Sequence, residues 1–329
     1  MLFVDNENRT NPRVNLAIEE HLLRHFGADD EILLFYINEP SIIIGRNQNT
    51  LEEINEPYVR EHGIHVVRRL SGGGAVYHDL GNLNFSFITP YHKGTPQDFE
   101  HFTRPVIRVL REMGVPAELN GRNDILVDGR KISGNAQYRT ADRMFSHGTL
   151  LFDTTLRDVV ESLNVSQSKI TSKGLKSVRS RVANIKEFLD EPMTTREFRA
   201  RLLHGIFRDV DEIPQHHLTE DDWAEIHQIK AERYDQWDWN YGRSPDFNVQ
   251  HSKRFPTGEV DVRIDVQQGI VQDVKIYGDF LGDGDVADIE SRLLGVRYDR
   301  EALAEALEGL DTCAYLGGVD CEAFLELIY

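Results

Sequence analysis

Cysteine is nearly absent: the 329 residues contain two, Cys313 and Cys321, both within the last seventeen positions. That excludes a cysteine-built zinc site and a cysteine nucleophile from everything before Cys313. Long apolar runs are also missing. Stretches such as Ile32–Ile37 and Ile42–Ile44 fall far short of the roughly 20 residues that cross a bilayer. Met1–Thr10 is polar and acidic, unlike an export signal, so a soluble, unexported, cytoplasmic protein is expected. Positive charge is scarce, with 37 Lys+Arg against 55 Asp+Glu and a net charge of −18. A nucleic-acid coat or an anionic-membrane binder would need the opposite balance. No His-Glu-x-x-His, no Gly-x-Ser-x-Gly and no paired-carboxylate spacing occurs, which removes zinc-hydrolase and serine-hydrolase readings.

What is present is ordinary globular composition, 40% hydrophobic and 28% charged, over a length that suggests about two domains. The charge is unevenly spread. From Asp246 to Tyr329 there are 18 acidic and 7 basic residues, whereas Ser162–Lys186 holds no acid and carries Lys169, Lys173, Lys176, Arg179, Arg181 and Lys186. An aromatic, then Gly/Pro-punctuated stretch, Trp237–Pro245, precedes the acidic tail. These shifts place a domain boundary near residue 246, giving 1–245 and 246–329.

Val14, Ala17, Ile18, Leu22 and Leu23 recur at helical spacing after Asn11-Pro12, which predicts a helix of about three turns. Ile32–Ile37 and Ser41–Ile44 flank Asn38-Glu39-Pro40 and predict a hairpin. His65–Arg69 reads as a strand leading into a glycine loop, Leu70–Gly74. Leu83, Phe85 and Phe87 alternate with polar residues as a half-buried strand does, and Phe99–Met113 keeps helical spacing despite Pro105. Asp128-Gly129, between Ile125–Val127 and Arg130–Ile132, is type I′ turn chemistry. Gly148–Phe152 reads as a strand; Thr195–Arg208 and Asp221–Tyr234 read as helices. In the tail, Val260–Val266 alternates strictly, Ile270–Ile276 returns, and helical patterns follow at Val286–Leu294, Ala302–Leu310 and Glu322–Leu327. The tail is thus a small α+β domain.

Three segments could carry chemistry. In Arg68–Asp79 three consecutive glycines let backbone N–H groups turn toward one point, and Arg69 adds a fork of donors suited to a phosphate. The loop is neither a Walker A loop nor a Rossmann fingerprint, and by itself it reads equally as a flexible turn. Gly121-Arg122-Asn123-Asp124 leading into Lys131 places a lysine just past a tight turn, where lysines are usually solvated. His147 before an apolar strand is ambiguous between packing and ligand contact.

Taken in order, Arg69–Asp79 (RLSGGGAVYHD), Gly121–Asp124 (GRND), Arg130–Gly134 (RKISG), His147–Leu150 (HGTL) and Ser177–Val182 (SVRSRV) resemble the lipoate–protein ligases. The likeness extends to Asn15–Glu20, Gly45–Asn49 and Trp237–Gly242, nearly end to end, and the acidic tail looks like the accessory domain of the two-domain members. The resemblance implies an α+β fold: a catalytic domain with a mixed sheet akin to biotin ligases and class II aminoacyl-tRNA synthetases, plus a small C-terminal accessory domain. It implies activation of lipoate by Mg2+ and ATP to lipoyl-AMP. Transfer would follow to a lysine of the lipoyl domains of 2-oxoacid dehydrogenase E2 subunits or of glycine cleavage protein H.

Carried over by motif, Arg69, Gly74, Ala75, Val76, Tyr77, Asn123, Asp124 and Lys131 match adenylate-binding positions. Ser71, Gly73, Lys131 and His147 match lipoate-binding ones, and Lys131 is the central catalytic lysine. Physically, an ammonium between a carboxylate and an α-phosphate offsets the repulsion of two anions and stabilises charge developing in the transition state. Asn123 and Asp124 would orient Lys131 or hold Mg2+, and the basic loop around Lys173–Arg181 would cover the intermediate. No general base for the transfer step is visible. Three rivals remain: an ATP-independent lipoyl or octanoyl transferase, which needs a cysteine nucleophile in the first domain; a biotin ligase, whose glycine-arginine run is missing; and a catalytically silent lipoate-binding module.

Overall fold

A computed structural model describes residues 1–27, 29–92, 98–121, 123–163, 181–241, 248–267 and 269–329. These fall into two compact units. The first comprises Met1–Ile43, Glu53–Val67 and Val76–Gln236; the second comprises Ile44–Glu52, Arg68–Ala75 and Trp237–Tyr329. Most of the basic segment, residues 164–180, lies outside the described residues, as does the expected boundary at 245/246.

The first unit is built on an eight-stranded sheet in the order β11-β1-β2-β6-β10-β9-β8-β7. Its strands are β1 (Leu2–Asp5), β2 (Ile32–Ile37), β6 (Asn82–Pro90), β7 (Glu118–Asn120), β8 (Asp124–Val127), β9 (Arg130–Arg139), β10 (Arg143–Leu151) and β11 (Gln215–His216). The β11–β1 and β1–β2 pairs are parallel and the rest antiparallel, so the sheet is mixed. A smaller sheet, β4-β3-β5, is formed by β3 (Ser41–Ile44), β4 (His65–Arg68) and β5 (Val76–His78).

Because side chains alternate across a strand, the large sheet has two unlike faces. On one, Leu33, Phe35, Leu83, Phe85, Phe87 and Leu150 join Phe102, Val106 and Leu110 of α2 (Phe99–Glu112) and Phe198 and Leu202 of α3 (Thr195–Ile206) in a dry core. On the other, the register sets Asn84 beside Thr149 and Ser86 beside His147. That polar row lies on the side of α1 (Pro12–His25), which packs on β2, β6 and β10. Helix α1 starts where the sequence says: the Asn11 side chain accepts from the N–H groups of Arg13 and Val14, and Pro12 occupies the first turn.

The expected hairpin of Ile32–Ile37 and Ser41–Ile44 does not form. β2 lies inside the large sheet between β1 and β6, and β3 lies inside the small sheet between β4 and β5. The physical reason is that both runs are almost continuously apolar and are buried on both faces, which a strand flanked on each side tolerates and a hairpin arm does not require. The connection is a corner held from within. Buried Asn38 accepts from the Asn15 amide at 2.8 Å and meets His78 Nδ1 at 3.0 Å.

Strands β9 and β10 also run further than the apolar pattern indicated, β10 beginning at Arg143 instead of Gly148. Polar side chains there are buried and hydrogen-bonded, for instance Gln137 donating to Ser146 Oγ at 3.2 Å. The Asp128-Gly129 turn is as expected, with φ of +50° and +74° at its two residues. The helix expected over Asp221–Tyr234 is α4 (Glu220–Ile229), continued by one π turn, Lys230–Tyr234.

In the second unit, β12 (Val249–Phe255), β13 (Gly258–Gln267) and β14 (Ile270–Gly278) form an antiparallel sheet. Val260, Val262, Ile264, Val274 and Ile276 pack with Ile289 and Leu293 of α5 (Ala287–Leu293), Leu303 of α6 (Arg300–Ala306) and Phe324 and Ile328 of α7 (Cys321–Ile328). β12 was absent from the sequence reading because its strand, VQHSKRF, is mostly exposed and polar. The molecule is therefore α+β, with a large mixed sheet and a small C-terminal α+β unit. Among the described residues no helix is long and apolar enough to cross a membrane.

Candidate active site

Lys131 sits on β9 directly after the Asp128-Gly129 turn. Its Nζ lies 2.8 Å from Asp124 Oδ1 on the neighbouring strand, and both side chains are only partly covered, 36% and 38% exposed. The lysine stem crosses Gly134: a Cβ there would stand 2.9 Å from Nζ and 3.0 Å from Cε. Glycine in RKISG thus provides the bed on which the ammonium lies. The Lys131 backbone is pinned from the other side, its N–H donating to Arg181 O at 2.7 Å and its carbonyl accepting from Ala183 N–H at 3.0 Å. Asn123 is adjacent but differently engaged. Its amide donates to Asn135 O at 2.6 Å, and the Asn135 amide returns a bond to Asn123 O at 2.9 Å. Asp124 therefore orients Lys131, and Asn123 fixes the strand that carries Asp124.

His147 projects from β10 toward α1, where its Nδ1 lies 3.0 and 3.1 Å from the two carboxylate oxygens of Glu19. Glu19 is 3% exposed and His147 8%. The carboxylate fixes ring orientation and favours a proton on Nδ1. Glu19 went unnoticed as a site residue because, in sequence, it is one more acid on an amphipathic helix. Val76 and Tyr77 lie on β5, opposite Ile43 and Ile42. The Tyr77 hydroxyl donates to Asp158 Oδ2 at 3.3 Å; burial first, then the Asp158 charge, pushes its phenol far above the usual range.

In the second unit the glycine loop is organised by two arginines. Arg68 is 1% exposed and has carbonyl acceptors around its guanidinium: Nη1 donates to the carbonyls of Gly45, Arg46 and Gln48 at 3.0, 2.9 and 2.6 Å, and Nε to Trp239 O at 2.8 Å. Its Nη2 donates to Thr50 Oγ1 at 2.7 Å. This buried cation ties the 45–50 segment to the 237–240 segment, and sequence reading missed it because neither segment contains an acid at the contact. Arg69 curls back on its own loop, Nε donating to Ser71 Oγ at 3.0 Å and Nη2 to the carbonyls of Gly72 and Gly74 at 2.6 and 2.9 Å.

The three glycines are not equivalent. A Cβ on Gly72 would press to 2.6 Å from Phe280 O, and Gly73 has φ +89°, a conformation that side chains disfavour. At Gly74 a Cβ would meet nothing within 4 Å. The fold itself places no demand for glycine at position 74.

The sequence-predicted residues thus gather in sets. Asp124 on β8 meets Lys131 on β9, with Asn123 just before β8 bonded to Asn135; Ser71, Gly73, Gly74 and Ala75 belong to the loop that Arg69 holds; His147 pairs with Glu19, a residue outside the predicted set. Neither cysteine is activated as a thiolate. Burial, then Asp311 and Asp320, push the Cys313 thiol up, and burial, then Glu322 and Asp320, push Cys321 up, the reverse of what a thioester-forming nucleophile needs.

Residues 11–207 match the lipoyl protein ligase A/B catalytic domain family, and residues 244–328 match the bacterial lipoate protein ligase C-terminus family. The lipoate–protein ligase LplJ of Bacillus subtilis is 59% identical over the whole of both chains. Among solved structures, Plasmodium falciparum LipL1 in complex with lipoate superposes with a TM-score of 0.79, at 25% identity over 99% of this chain and 97% of that one. A bi-partite ligase from Thermoplasma acidophilum, solved in a study of it and its E2 lipoyl domain, gives 0.64 at 31% identity over 75% and 98%. A lipoate–protein ligase A bound with ATP gives 0.60 at 30% identity over 74% and 97%. With both family regions matched and 59% identity to LplJ over the full length of both chains, the chain belongs to the lipoate–protein ligases.

Proposed function

We propose that this ligase condenses lipoate with ATP to lipoyl-AMP and passes the lipoyl group to the lysine of lipoyl domains of 2-oxoacid dehydrogenase E2 subunits or of glycine cleavage protein H. The observation that carries the reading is Lys131. It is a partly exposed ammonium, held at 2.8 Å by one carboxylate and laid across a glycine, in a family whose relatives include an ATP-bound ligase.

In the first step a lipoate carboxylate oxygen attacks the α-phosphorus and pyrophosphate leaves with the electron pair of the broken P–O bond. Lys131 supplies positive charge where the two anions approach, a stabilisation greatest in the transition state. Arg69, Ser71 and the Gly73–Tyr77 backbone hold phosphate and carboxylate oxygens through N–H and hydroxyl donors. Openness at Gly74 supports this, since the fold leaves that space free. His147, fixed by Glu19, lines the lipoate side. Asp124 is an oxygen donor of the kind Mg2+ takes when it shares its shell with phosphates. The ion would screen phosphate charge.

In the second step the acceptor lysine amine attacks the acyl carbon and AMP departs. In this reading residues 1–245 form the catalytic domain and 246–329 the accessory domain, although residues 44–52 and 68–75 and the chain from Trp237 onward belong by packing to the second unit. Lipoate-dependent ATP–pyrophosphate exchange is the test. Exchange that requires lipoate is expected, and its absence under conditions where a known ligase works would defeat the adenylation step.

A further inference from the structure

At the far end of α1, away from Glu19 in sequence by two to six residues, His21 and His25 lie one helical turn apart and face Glu225 of α4. His21 Nδ1 and His25 Nδ1 are each 3.2 Å from Glu225 Oε2, and the three ligand atoms all lie within 4.8 Å of one another. Tetrahedral zinc with bonds of 2.0–2.2 Å separates its ligand atoms by about 3.3–3.5 Å. Two of the three edges are thus close to that length without any movement.

The protonation chemistry points the same way. His21 is 1% exposed, and its Nε2 lies 2.9 Å from Asp222 Oδ1. Asp222 can only accept there, its other oxygen being taken by the Thr219 N–H and hydroxyl at 2.8 and 2.7 Å. In the neutral ring the proton is therefore on Nε2, and Nδ1 presents a lone pair toward a carboxylate oxygen, which also presents lone pairs. Nδ1 has no hydrogen-bond donor. A histidine that donates one N–H to a carboxylate and turns its other nitrogen to a metal is the usual outer-shell arrangement of zinc sites. His25 and Glu225, 46% and 48% exposed, leave the cluster open to an entering ion.

We propose that His21, His25 and Glu225 form a binding site for a borderline divalent metal of the zinc class, with Asp222 orienting His21 and water completing the shell. The i, i+4 histidine spacing is that of helical zinc sites, but Leu22 stands where a metalloprotease carries its catalytic glutamate. The ion therefore joins α1 to α4, some 200 residues apart in sequence (His21 to Asp222, 201), and has no hydrolytic part. The proposal is independent of the adenylation chemistry.

The test uses the full-length chain, stripped with a chelator and titrated with Zn2+ and with Co2+ as a spectroscopic probe. One ion per chain, tetrahedral cobalt absorption and a rise in Tm with Zn2+ but not with Mg2+ are expected. His25→Ala and Glu225→Gln, both at half-exposed side chains, should each weaken Zn2+ binding at least roughly tenfold and abolish the Tm rise, with circular dichroism and lipoate-dependent exchange unchanged. No stoichiometric binding, or binding equally tight in both variants, would overturn the site.

Discussion

In the loop Arg68–Ala75 two guanidinium groups are buried and turned onto the chain's own carbonyls, whereas in the hairpin Asp124–Gly134 a single ammonium is 36% exposed and held by one carboxylate. Both segments announce themselves in sequence by glycine beside a cation. The difference lies in what the glycine does. Gly72 and Gly73 let the backbone take a path that side chains obstruct, so that Arg69 can gather the carbonyls of Gly72 and Gly74. Gly134 leaves the backbone ordinary and makes room for a side chain. Arg68, ringed by carbonyls and a hydroxyl, builds a scaffold, and Lys131, restrained by one carboxylate that it can exchange, remains available to an incoming anion.

The contrast is broken most severely at Arg68. Arg68→Ala removes a donor from the Gly45, Arg46, Gln48 and Trp239 carbonyls, of which Gly45 keeps the Gln48 N–H at 3.1 Å, and should lower stability by about 3 kcal/mol, since each buried polar group left short of a partner costs roughly 1–3 kcal/mol. Urea denaturation measures this, and a loss under about 1 kcal/mol would mean that water replaces the guanidinium. Lys131→Ala is the opposite case. We expect lipoate-dependent exchange to fall about 10²–10³-fold, the scale of losing one transition-state charge partner, while stability stays within about 1 kcal/mol because the ion pair is exposed. Lys131→Arg should also largely fail, a planar fork being a poor substitute for a compact ammonium.

The glycines sharpen the comparison. Gly73→Ala, at φ +89°, should cost about 1–2 kcal/mol of stability. Gly74→Ala should leave melting unchanged and raise the KM for ATP; equal destabilisation by the two would remove the reason for assigning Gly74 to the ligand. The smallest effect is expected at the basic segment. Reversing the charge of Lys173 and Lys176, which lie outside the described residues, should raise the KM for the acceptor protein without altering exchange, and unchanged acceptor kinetics would end its docking role.

Much of the architecture was legible because it rests on local rules. The Asn11-Pro12 helix start, the Asp128-Gly129 turn and the strict alternation Val260–Val266 each express one rule and each appears where expected. What escaped depends on distant partners. The apolar runs Ile32–Ile37 and Ser41–Ile44 contain no information about which sheet accepts them, and Asn38 turns the corner only because Asn15 and His78 are there to bond it. Strand residues Asn135 and Gln137 look like loop until their buried hydrogen bonds are seen. At the site the same division holds. Lys131 and Asp124 are near in sequence and could be linked, while Glu19, 128 positions from His147, and Arg68, which bonds backbone carbonyls and the Thr50 hydroxyl, carry no local mark of their role.

The central claim is transfer that depends on ATP. The measurement is the intact mass of a purified apo lipoyl domain, with protein H tested alongside, after incubation with this ligase and lipoate, with and without Mg2+ and ATP. A lipoyl mass gain that appears only with ATP is the predicted result. A gain without ATP, or no gain on either acceptor while a control ligase modifies both, would contradict it.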